Sequence, residues 1–295
     1  MLRIGIDLGG TKTEGVVMDA AGQILARERR ATPQANGYDA ILANICNLVL
    51  ELERRSGARC RVGLGTPGAI SAKTGFLKNS NTVCLNGRPV KQDLEHLLAR
   101  EIRIANDANC FALSEALDGA AQNEPVVFGV ILGTGVGGGI VIHGRLLEGA
   151  QHIAGEWGHN VLEADGPPCY CGKRGCVETF LSGPGLARDF AAQGGDAALS
   201  AHMIASAAEQ GDVLAEAAMQ RYLDRFGRAL SVVINILDPD AIVLGGGMSN
   251  IARLYAEGCE QVARYTFNDE LRTRILPNLH GDSSGVRGAA QLWPD

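Results

Sequence analysis

The sequence of 295 residues predicts an α/β fold of two lobes, each built on a unit of three strands, a helix, a strand and a helix. Three observations lead to this prediction. An apolar strand ending in a glycine-rich turn opens the chain, and the same pattern returns at residues 126–143. Amphipathic helices alternate with short buried strands. A group of histidine and cysteine residues, spaced like metal ligands, is inserted in the second unit. An internal duplication would account for the two glycine-rich hairpins.

Each element of the first unit has its own signal. Alternating or continuous apolar runs mark the strands, and apolar residues at intervals of three and four mark the helices. Gly57 provides a stop for the first helix. The predicted elements are strands at 2–7, 16–18 and 23–29, a helix at 37–56, a strand at 62–65, a polar loop at 75–88, a helix at 91–99, a strand at 102–105 and a helix at 106–117.

The second unit repeats this order around the inserted metal-binding segment. Its longest helix carries one apolar face and stops at Asp238-Pro239. The predicted elements are a strand at 126–132, a glycine-rich loop at 133–139, a strand at 140–143, helices at 185–192, 199–209 and 213–237, a strand at 241–244, a loop at 245–247 and helices at 248–263 and 284–292.

Composition and charge make some partners and cellular locations of the protein less expected than others. The net charge is −6 and no basic run is present, which disfavours nucleic acid as a partner. Asp7 interrupts the N-terminus before the apolar core of a signal peptide can form. The longest uncharged stretch, residues 125–142, contains six glycines, which is typical of two strands and a loop rather than a membrane helix. Eight cysteines without an export signal indicate a reducing, cytoplasmic location with no membrane association.

A metal site is predicted from His159, Cys169, Cys171 and Cys176. Close spacing lets thiolates converge on one ion, and Zn²⁺ takes four nitrogen or sulfur ligands in a tetrahedron. A Cys₃His set fills all four positions, so the predicted zinc is structural. A zinc hydrolase is disfavoured because it needs an open position. The alternative is a group of reduced core thiols beside a surface histidine.

Glycine-rich loops follow three buried strands, at residues 9–10, 133–139 and 245–247. Glycine lets backbone N–H groups approach an anion closely, so such loops can bind phosphates, with an ordinary turn as the alternative for each. They match neither the P-loop nor the dinucleotide fingerprint. The first two lead into strands, which predicts two β-hairpins around a phosphate chain. Asp7 precedes the first loop, where Mg²⁺ would relieve its repulsion from phosphate; a turn-capping aspartate is the alternative.

Polar side chains follow one strand and flank the metal ligands. Asn106 and Asp107 begin a helix, where they are either ordinary N-caps or, for Asp107, the general base of a phosphoryl transfer. Glu156 and Glu178 stand on either side of the metal ligands. A metal would hold both rigidly, so that their carboxylates accept hydrogen bonds from vicinal sugar hydroxyls. The alternative is a pair of surface glutamates.

These motifs together resemble the ROK family (repressors, ORFs, sugar kinases) from residue 3 to about residue 293, and bacterial fructokinases, or manno(fructo)kinases, in particular. The segments that carry the family resemblance are Asp7-Leu8-Gly9-Gly10-Thr11-Lys12, Asn106-Asp107-Ala108-Asn109, Gly133-Thr134-Gly135, Gly155-Glu156-Trp157-Gly158-His159 and Cys169-Tyr170-Cys171-Gly172-Lys173-Arg174-Gly175-Cys176-Val177-Glu178. The fructokinase resemblance rests on the segments at 78–81, 85–87, 168–173 and 280–290.

The resemblance implies an actin-like, ribonuclease H-like ATPase fold that closes around ATP and a sugar. The small lobe would comprise residues 1–118 with the C-terminal helix at 284–295. The large lobe would comprise residues 119–283, with the zinc-binding segment at 159–176. ATP with Mg²⁺ would transfer phosphate to the 6-hydroxyl of a hexose, and structural Zn²⁺ would connect the metal site to the sugar pocket through His159.

The resemblance also assigns roles to individual residues. Asp107 would be the general base. The sugar would be bound by Asn81, Asn106, Asp107, Glu156, His159 and Glu178. Zinc would be held by His159, Cys169, Cys171 and Cys176. The nucleotide would be bound by Ile4, Gly5, Ile6, Asp7, Leu8, Gly9, Gly10, Thr11, Lys12, Gly133, Thr134, Gly135, Val136, Gly137, Gly138, Gly139, Ile140, Gly245 and Gly246.

The substrate implied by this resemblance is D-fructose, with D-mannose second. The alternatives are an N-acetylglucosamine kinase or glucokinase of the same family. The loop at 79–87 and residues 160–162 should decide between these sugars. A sugar-responsive repressor is the alternative of another class, disfavoured because the phosphate-binding strand begins at residue 2. A homodimer is expected only by analogy with the family.

Overall fold

The first half of the chain forms a five-stranded mixed sheet, seen in a computed structural model that describes residues 1–294. Its strand order is β3-β2-β1-β4-β7, with β1, β4 and β7 parallel and β2 and β3 antiparallel to their neighbours. The elements are β1 (Arg3–Leu8), β2 (Lys12–Met18), β3 (Ile24–Ala31), α1 (Tyr38–Ser56), β4 (Arg61–Thr66), β5 (Ala69–Ile70), β6 (Leu77–Lys78), α2 (Val90–Leu98), β7 (Ile102–Asn106) and α3 (Asp107–Leu117).

The second half forms another five-stranded sheet with the order β10-β9-β8-β11-β12. Strands β8, β11 and β12 are parallel, and β9 runs antiparallel between β8 and β10. The elements are β8 (Val126–Leu132), β9 (Val136–Ile142), β10 (Arg145–Leu146), α4 (Glu178–Leu181), α5 (Gly183–Ala192), α6 (Ala201–Glu209), α7 (Val213–Leu237), β11 (Ala241–Gly245), α8 (Glu257–Tyr265), β12 (Arg274–Pro277) and α9 (Ser284–Gln291).

Numbered in chain order within each five-stranded sheet, the strands of both sheets follow the same order, three, two, one, four, five, while β5 and β6 pair separately. This repeated topology is what an internal duplication predicts, and the two-lobed α/β fold predicted from the sequence is confirmed. The exact boundaries of the lobes stay a prediction.

Helix α3 lies between the two sheets and contacts both. Eight of its eleven residues are buried, as expected for a helix with packing partners on several sides. On one side Ala112 lies against Gly129 of β8, where a Cβ would come within 2.5 Å of the alanine methyl. On the other side α9 packs against α3, where a Cβ on Gly288 would lie 1.7 Å from the Cys110 carbonyl oxygen. Close packing therefore fixes the N-terminus of α3 between the lobes.

Four predicted elements differ from the structure. The strand predicted at 16–18 begins four residues earlier, at Lys12. The glycine-rich loop predicted at 133–139 is limited to residues 133–135, because residues 136–139 already belong to β9. The helix predicted at 248–263 is two 3₁₀ turns, Gly247–Asn250 and Ala252–Tyr255, followed by α8. The predicted polar loop at 75–88 contains β6 and a 3₁₀ turn at Val83–Leu85. Strands β5, β10 and β12 were not predicted.

No helix within residues 1–294 combines the length and apolar character needed to span a lipid bilayer.

Candidate active site

Asp107 is the first residue of α3 and directly follows β7. Asn106 caps the helix: its Oδ1 accepts from the Ala108 N–H at 2.9 Å, and its Nδ2 donates to the Gly68 carbonyl at 3.1 Å. Asp107 Oδ1 accepts from the same N–H at 2.9 Å. Asn106 is therefore an N-cap, and Asp107 presents a carboxylate at the helix N-terminus. The role of Asp107 as a general base stays a prediction.

Asp7 lies at the same edge of the first sheet as Asp107. Strands β1, β4 and β7 are parallel, and their register places Asp7 level with Gly65 and Ala105. Burial and then the neighbouring Asp107 charge raise the pKa of Asp7 to about 7. Burial, offset in part by the hydrogen bond from Ala108 and reinforced by Glu156, raises the pKa of Asp107 to about 6. The edge therefore concentrates negative charge that a bound cation would balance.

The glycine loops lie at the carboxyl ends of the central strands of the two sheets. In the first, the Gly9 N–H donates to the Lys12 carbonyl at 2.9 Å and closes the turn from β1 to β2. Apart from its own chain neighbours, a Cβ on Gly10 or on Gly133 would meet no atom of residues 1–294 within 4 Å. The two loops are therefore open at Gly10 and at Gly133, as a phosphate-binding loop requires. The Gly246 turn adjoins the second loop, since a Cβ there would lie 2.5 Å from the Leu132 carbonyl oxygen.

Several residues assigned to the nucleotide lie instead within strands. The side chains of Ile4, Ile6 and Leu8 are fully buried in the core of the first lobe, and Gly5 lies under α9. Gly137, Gly138 and Gly139 belong to β9, and Ile140 follows them in the same strand. Contact between the backbone groups of these residues and a nucleotide stays a prediction.

The strand glycines of β9 serve close packing. A Cβ on Gly137 would lie 3.1 Å from the Ala108 methyl, and one on Gly139 would lie 2.8 Å from the Ala108 carbonyl oxygen. A Cβ on Gly138 would lie 2.8 Å from the Trp157 ring. The glycines thus bring the N-terminus of α3 and the segment before the metal ligands onto the same strand.

The four predicted metal ligands converge. One ligand atom from each of His159, Cys169, Cys171 and Cys176 lies within 4.8 Å of the others. The Cys171 and Cys176 sulfurs are 3.6 Å apart, and the Cys169 sulfur is 3.5 Å from His159 Nδ1. We call residues 159–176 the metal segment.

This donor set fits zinc. Four ligands at about 2.3 Å in a tetrahedron stand about 3.8 Å from each other, which is close to the spacing observed. Three thiols and one imidazole are also the donors that zinc prefers. His159 would bind through Nδ1, because Nε2 lies 3.1 Å from Tyr170 Oη. That contact would fix the orientation of the imidazole ring.

Glu156 and Glu178 come close to the metal segment and to each other. Burial and then the Glu178 charge, partly offset by His159, raise the pKa of Glu156. Glu178 Oε1 lies 4.0 Å from the Cys169 sulfur, and Oε2 accepts from the Val136 N–H at 3.0 Å. Glu156 in turn lies near enough to Asp107 to raise its pKa. The structure therefore brings these two glutamates, the metal segment and Asp107 into one region.

Asn81 is exposed and lies in the segment between β6 and α2. Its neighbour Ser80 is clamped by Asn86, which accepts from the Ser80 N–H and donates to the Ser80 carbonyl, both at 2.8 Å. Ser80 also packs against Gly68, whose carbonyl accepts from Asn106. The predicted specificity loop at 79–87 is thus closed by an amide side chain and leads back to the helix cap beside Asp107.

Sequence reasoning missed the side chains that anchor the metal segment. Arg225 of α7 donates to Glu163 at 3.0 Å and to Asp189 at 2.7 Å, and its guanidinium lies 4.5 Å from the centre of the Phe180 ring. The Trp157 indole donates to the Gly137 carbonyl at 3.1 Å. These contacts join distant parts of the chain, so the local spacing of residues does not predict them.

The chain is similar over nearly its whole length to proteins of known activity. It matches the ROK family over residues 3–295. An N-acetyl-D-glucosamine kinase of Salmonella heidelberg (strain SL476) is 40% identical over 298 residues, covering 98% of each chain. The crystal structure of a ROK hexokinase from Thermus thermophilus aligns with a TM-score of 0.88 and 32% identity over 98% of this chain and 97% of that one. A ROK family glucokinase from Streptomyces griseus, solved with glucose and AMPPNP, aligns with a TM-score of 0.81 and 29% identity over 99% of each chain.

Proposed function

Because the chain belongs to the ROK family and stands among its sugar kinases, we propose that it is an ATP-dependent N-acetyl-D-glucosamine kinase that phosphorylates the 6-hydroxyl. The observation that supports N-acetyl-D-glucosamine as the substrate is the 40% identity to an N-acetyl-D-glucosamine kinase over 98% of each chain. The sequence motifs alone favoured D-fructose, with D-mannose second. The whole-length similarity instead supports the alternative from the same family.

Asp107 has the position and the pKa of a general base. It lies at the N-terminus of α3, close enough to Asp7, beside the first glycine loop, and to Glu156 for their charges to interact. A pKa of about 6 leaves the carboxylate mostly ionised at neutral pH while keeping it basic enough to accept a proton. The arrangement suits transfer of a phosphoryl group to a sugar hydroxyl.

The proposed reaction is a direct transfer. Asp107 accepts the proton of the 6-hydroxyl, the sugar oxygen forms a bond to the γ-phosphorus of ATP, and the bond from that phosphorus to the bridging oxygen breaks. ADP leaves and the sugar 6-phosphate remains, so that one proton is released overall. The N–H groups around Gly10 and the loop at 133–135 would stabilise charge on the phosphoryl oxygens.

Two cations fit the residues present. Asp7 would hold Mg²⁺, since its carboxylate stands beside the first glycine loop, and a cation would offset the burial and the Asp107 charge that raise its pKa to about 7. Mg²⁺ would neutralise phosphate charge when bound. Zn²⁺ in the Cys₃His set would keep the metal segment rigid, so that Glu156, His159 and Glu178 face the sugar.

Sugar choice would rest on the loop at 79–87 and on residues 160–162. Asn86 closes that loop through two hydrogen bonds to Ser80. The loop would therefore keep one conformation and could distinguish sugars by the size of their substituents. Asn81 and Asn106 would add amide contacts to the sugar, with one Asn106 N–H already committed to Gly68. The eight free cysteines fit a reducing cytoplasm, where the substrate ATP is abundant.

The test is ADP release by the purified protein with ATP and Mg²⁺, measured in parallel with N-acetylglucosamine, glucose, mannose and fructose. The highest kcat/KM is expected with N-acetylglucosamine. A preference for fructose, with mannose second, would restore the narrower prediction from the motifs. ADP release that no sugar stimulates would contradict the kinase proposal itself.

A further inference from the structure

We propose that Glu178 is a positioning residue that couples the metal segment to the glycine loop at 133–135, and so controls nucleotide affinity as well as sugar binding. This inference rests on the proposed kinase function, in which that loop binds phosphate. It gives the metal site an effect on both substrates.

Two hydrogen bonds hold the ends of the loop. Glu178 Oε2 accepts from the Val136 N–H at 3.0 Å, immediately after the loop. The Gly183 N–H donates to the Gly133 carbonyl at 2.8 Å, immediately at its start. Glu178 begins α4, and Gly183 begins α5 two residues after α4 ends, so the short segment 178–183 bonds to both ends of the loop.

The loop is shaped to receive this carboxylate. A Cβ on Gly135 would lie 2.7 Å from Glu178 Oε2, so a side chain at this position would push the two segments apart. The Val136 N–H is occupied by Glu178 and is therefore not a free phosphate donor while this bond holds. Glu178 thus holds the loop in a fixed conformation, and the N–H groups available to a phosphate are those that precede Val136.

The other end of this connection is the metal segment. Glu178 follows the ligand Cys176 by two residues, and Val177 between them is buried. The Thr179 hydroxyl donates to the Cys176 carbonyl at 2.7 Å, which holds the start of α4 to the metal ligand. Glu178 Oε1 lies 4.0 Å from the Cys169 sulfur. A shift of the metal ligands would therefore move the carboxylate that holds Val136.

The experiment uses the full-length, metal-loaded protein with three variants. Glu178→Ala removes the acceptor, Glu178→Gln keeps an oxygen that can accept from Val136, and Arg174→Ala changes an exposed residue of the same segment. Affinity for ADP with Mg²⁺ is measured by calorimetry without sugar, and hydrogen exchange of residues 132–139 without any ligand. Metal content is measured in each preparation.

Glu178→Ala is expected to weaken ADP binding about tenfold and to speed exchange at Val136, because a hydrogen bond to a charged acceptor is lost. Glu178→Gln and Arg174→Ala should stay within about threefold of the wild type in ADP affinity. Wild-type ADP affinity and loop exchange in metal-loaded Glu178→Ala would overturn the inference.

Should Glu178→Ala lose the metal, the same contact is tested from the loop by Gly135→Ala, which leaves every metal ligand in place. Faster exchange at Val136 with the metal retained would support the coupling, and unchanged exchange would overturn it. A wild-type protein that binds ADP and shows the expected exchange pattern but phosphorylates no sugar would contradict the proposed function and leave the coupling intact.

Discussion

Replacing Asp107 by asparagine should abolish most of the turnover and at the same time stabilise the folded protein. The asparagine has nearly the same shape, and its oxygen can still accept from the Ala108 N–H. It cannot accept the substrate proton, so turnover should fall by about 10²–10⁴-fold. ADP should still bind, because Asp107 belongs to α3 and not to the glycine loops.

The stability gain follows from the raised pKa of Asp107. A pKa of about 6 in the folded protein, against about 4 in an unfolded chain, corresponds to at most about 3 kcal/mol. The sign follows from proton binding. Between about pH 4 and pH 6 the folded state holds a proton that the unfolded state has released, so wild-type stability falls as the pH rises through this range. The asparagine variant lacks this loss.

Thermal or urea unfolding at pH 4 and pH 8 provides the assay. The variant should match the wild type at pH 4 and exceed it at pH 8, by about 2 °C in Tm for each kcal/mol. Asp118→Asn is the matched control at the other end of α3. It should lower stability, because Arg287 and His280 both interact with the Asp118 carboxylate. Near-normal turnover of Asp107→Asn would refute the base assignment, and equal stability at pH 8 would refute the burial argument.

Four further outcomes are expected. In the wild type, kcat/KM should rise about tenfold per pH unit below an apparent pKa of about 6, as Asp107 ionises, and a flat profile between pH 5 and 7 would contradict this. Cys171→Ser should lower metal affinity at least about tenfold and raise the KM for the sugar. Elemental analysis and kinetics test this prediction, and a metal-free variant with unchanged KM would refute it. Arg225→Met should cost about 1–2 kcal/mol, because its charge-assisted hydrogen bonds to Glu163 and Asp189 are lost while Arg228 and Arg221 still pair with these carboxylates. An unchanged urea midpoint would argue against that anchor. Gly288→Ala should cost about 3 kcal/mol or more, since its Cβ would overlap the Cys110 carbonyl, and wild-type thermal stability would show that α9 can move aside.

Elements whose signals are local could be predicted from the sequence. The helix predicted at 213–237 coincides with α7, because Asp212 caps its first turn and Asp238 ends it in a left-handed conformation before a proline. The metal ligands could be predicted for the same reason. Their spacing in the chain already brings three sulfurs together, with only His159 coming from a neighbouring turn.

Elements that depend on distant partners could not be predicted. Strands β10 and β12 have two and four residues and exist through pairing with β9 and β11. The glycines at 137–139 look like loop residues because glycine is usual in turns, whereas here they make room for α3 and Trp157 within a strand. The helix predicted at 248–263 is broken at Ile251, whose backbone is extended, and again at Ala256, which separates the second 3₁₀ turn from α8. The Ser249 carbonyl there accepts from the Tyr255 hydroxyl, a tertiary contact with no local signal.

In the candidate site, too, features with a local sequence signal could be predicted and features that depend on distant residues could not. Asp107 and the metal ligands could be found because each belongs to a short motif. The hydrogen bond from Val136 to Glu178 and the anchoring of the metal segment by Arg225 join residues that are far apart in the sequence. Such contacts follow from tertiary packing within the second half of the chain, and a single sequence carries no local pattern for them.

The most direct test of the proposed function is to identify the product formed from N-acetylglucosamine and ATP by phosphorus and proton NMR. The proposal predicts one N-acetylglucosamine 6-phosphate for each ADP, with the phosphorus coupled to the protons on carbon 6, and no such product from Asp107→Asn in the same time. Phosphate on another hydroxyl, or ADP with free inorganic phosphate and no sugar phosphate, would contradict it.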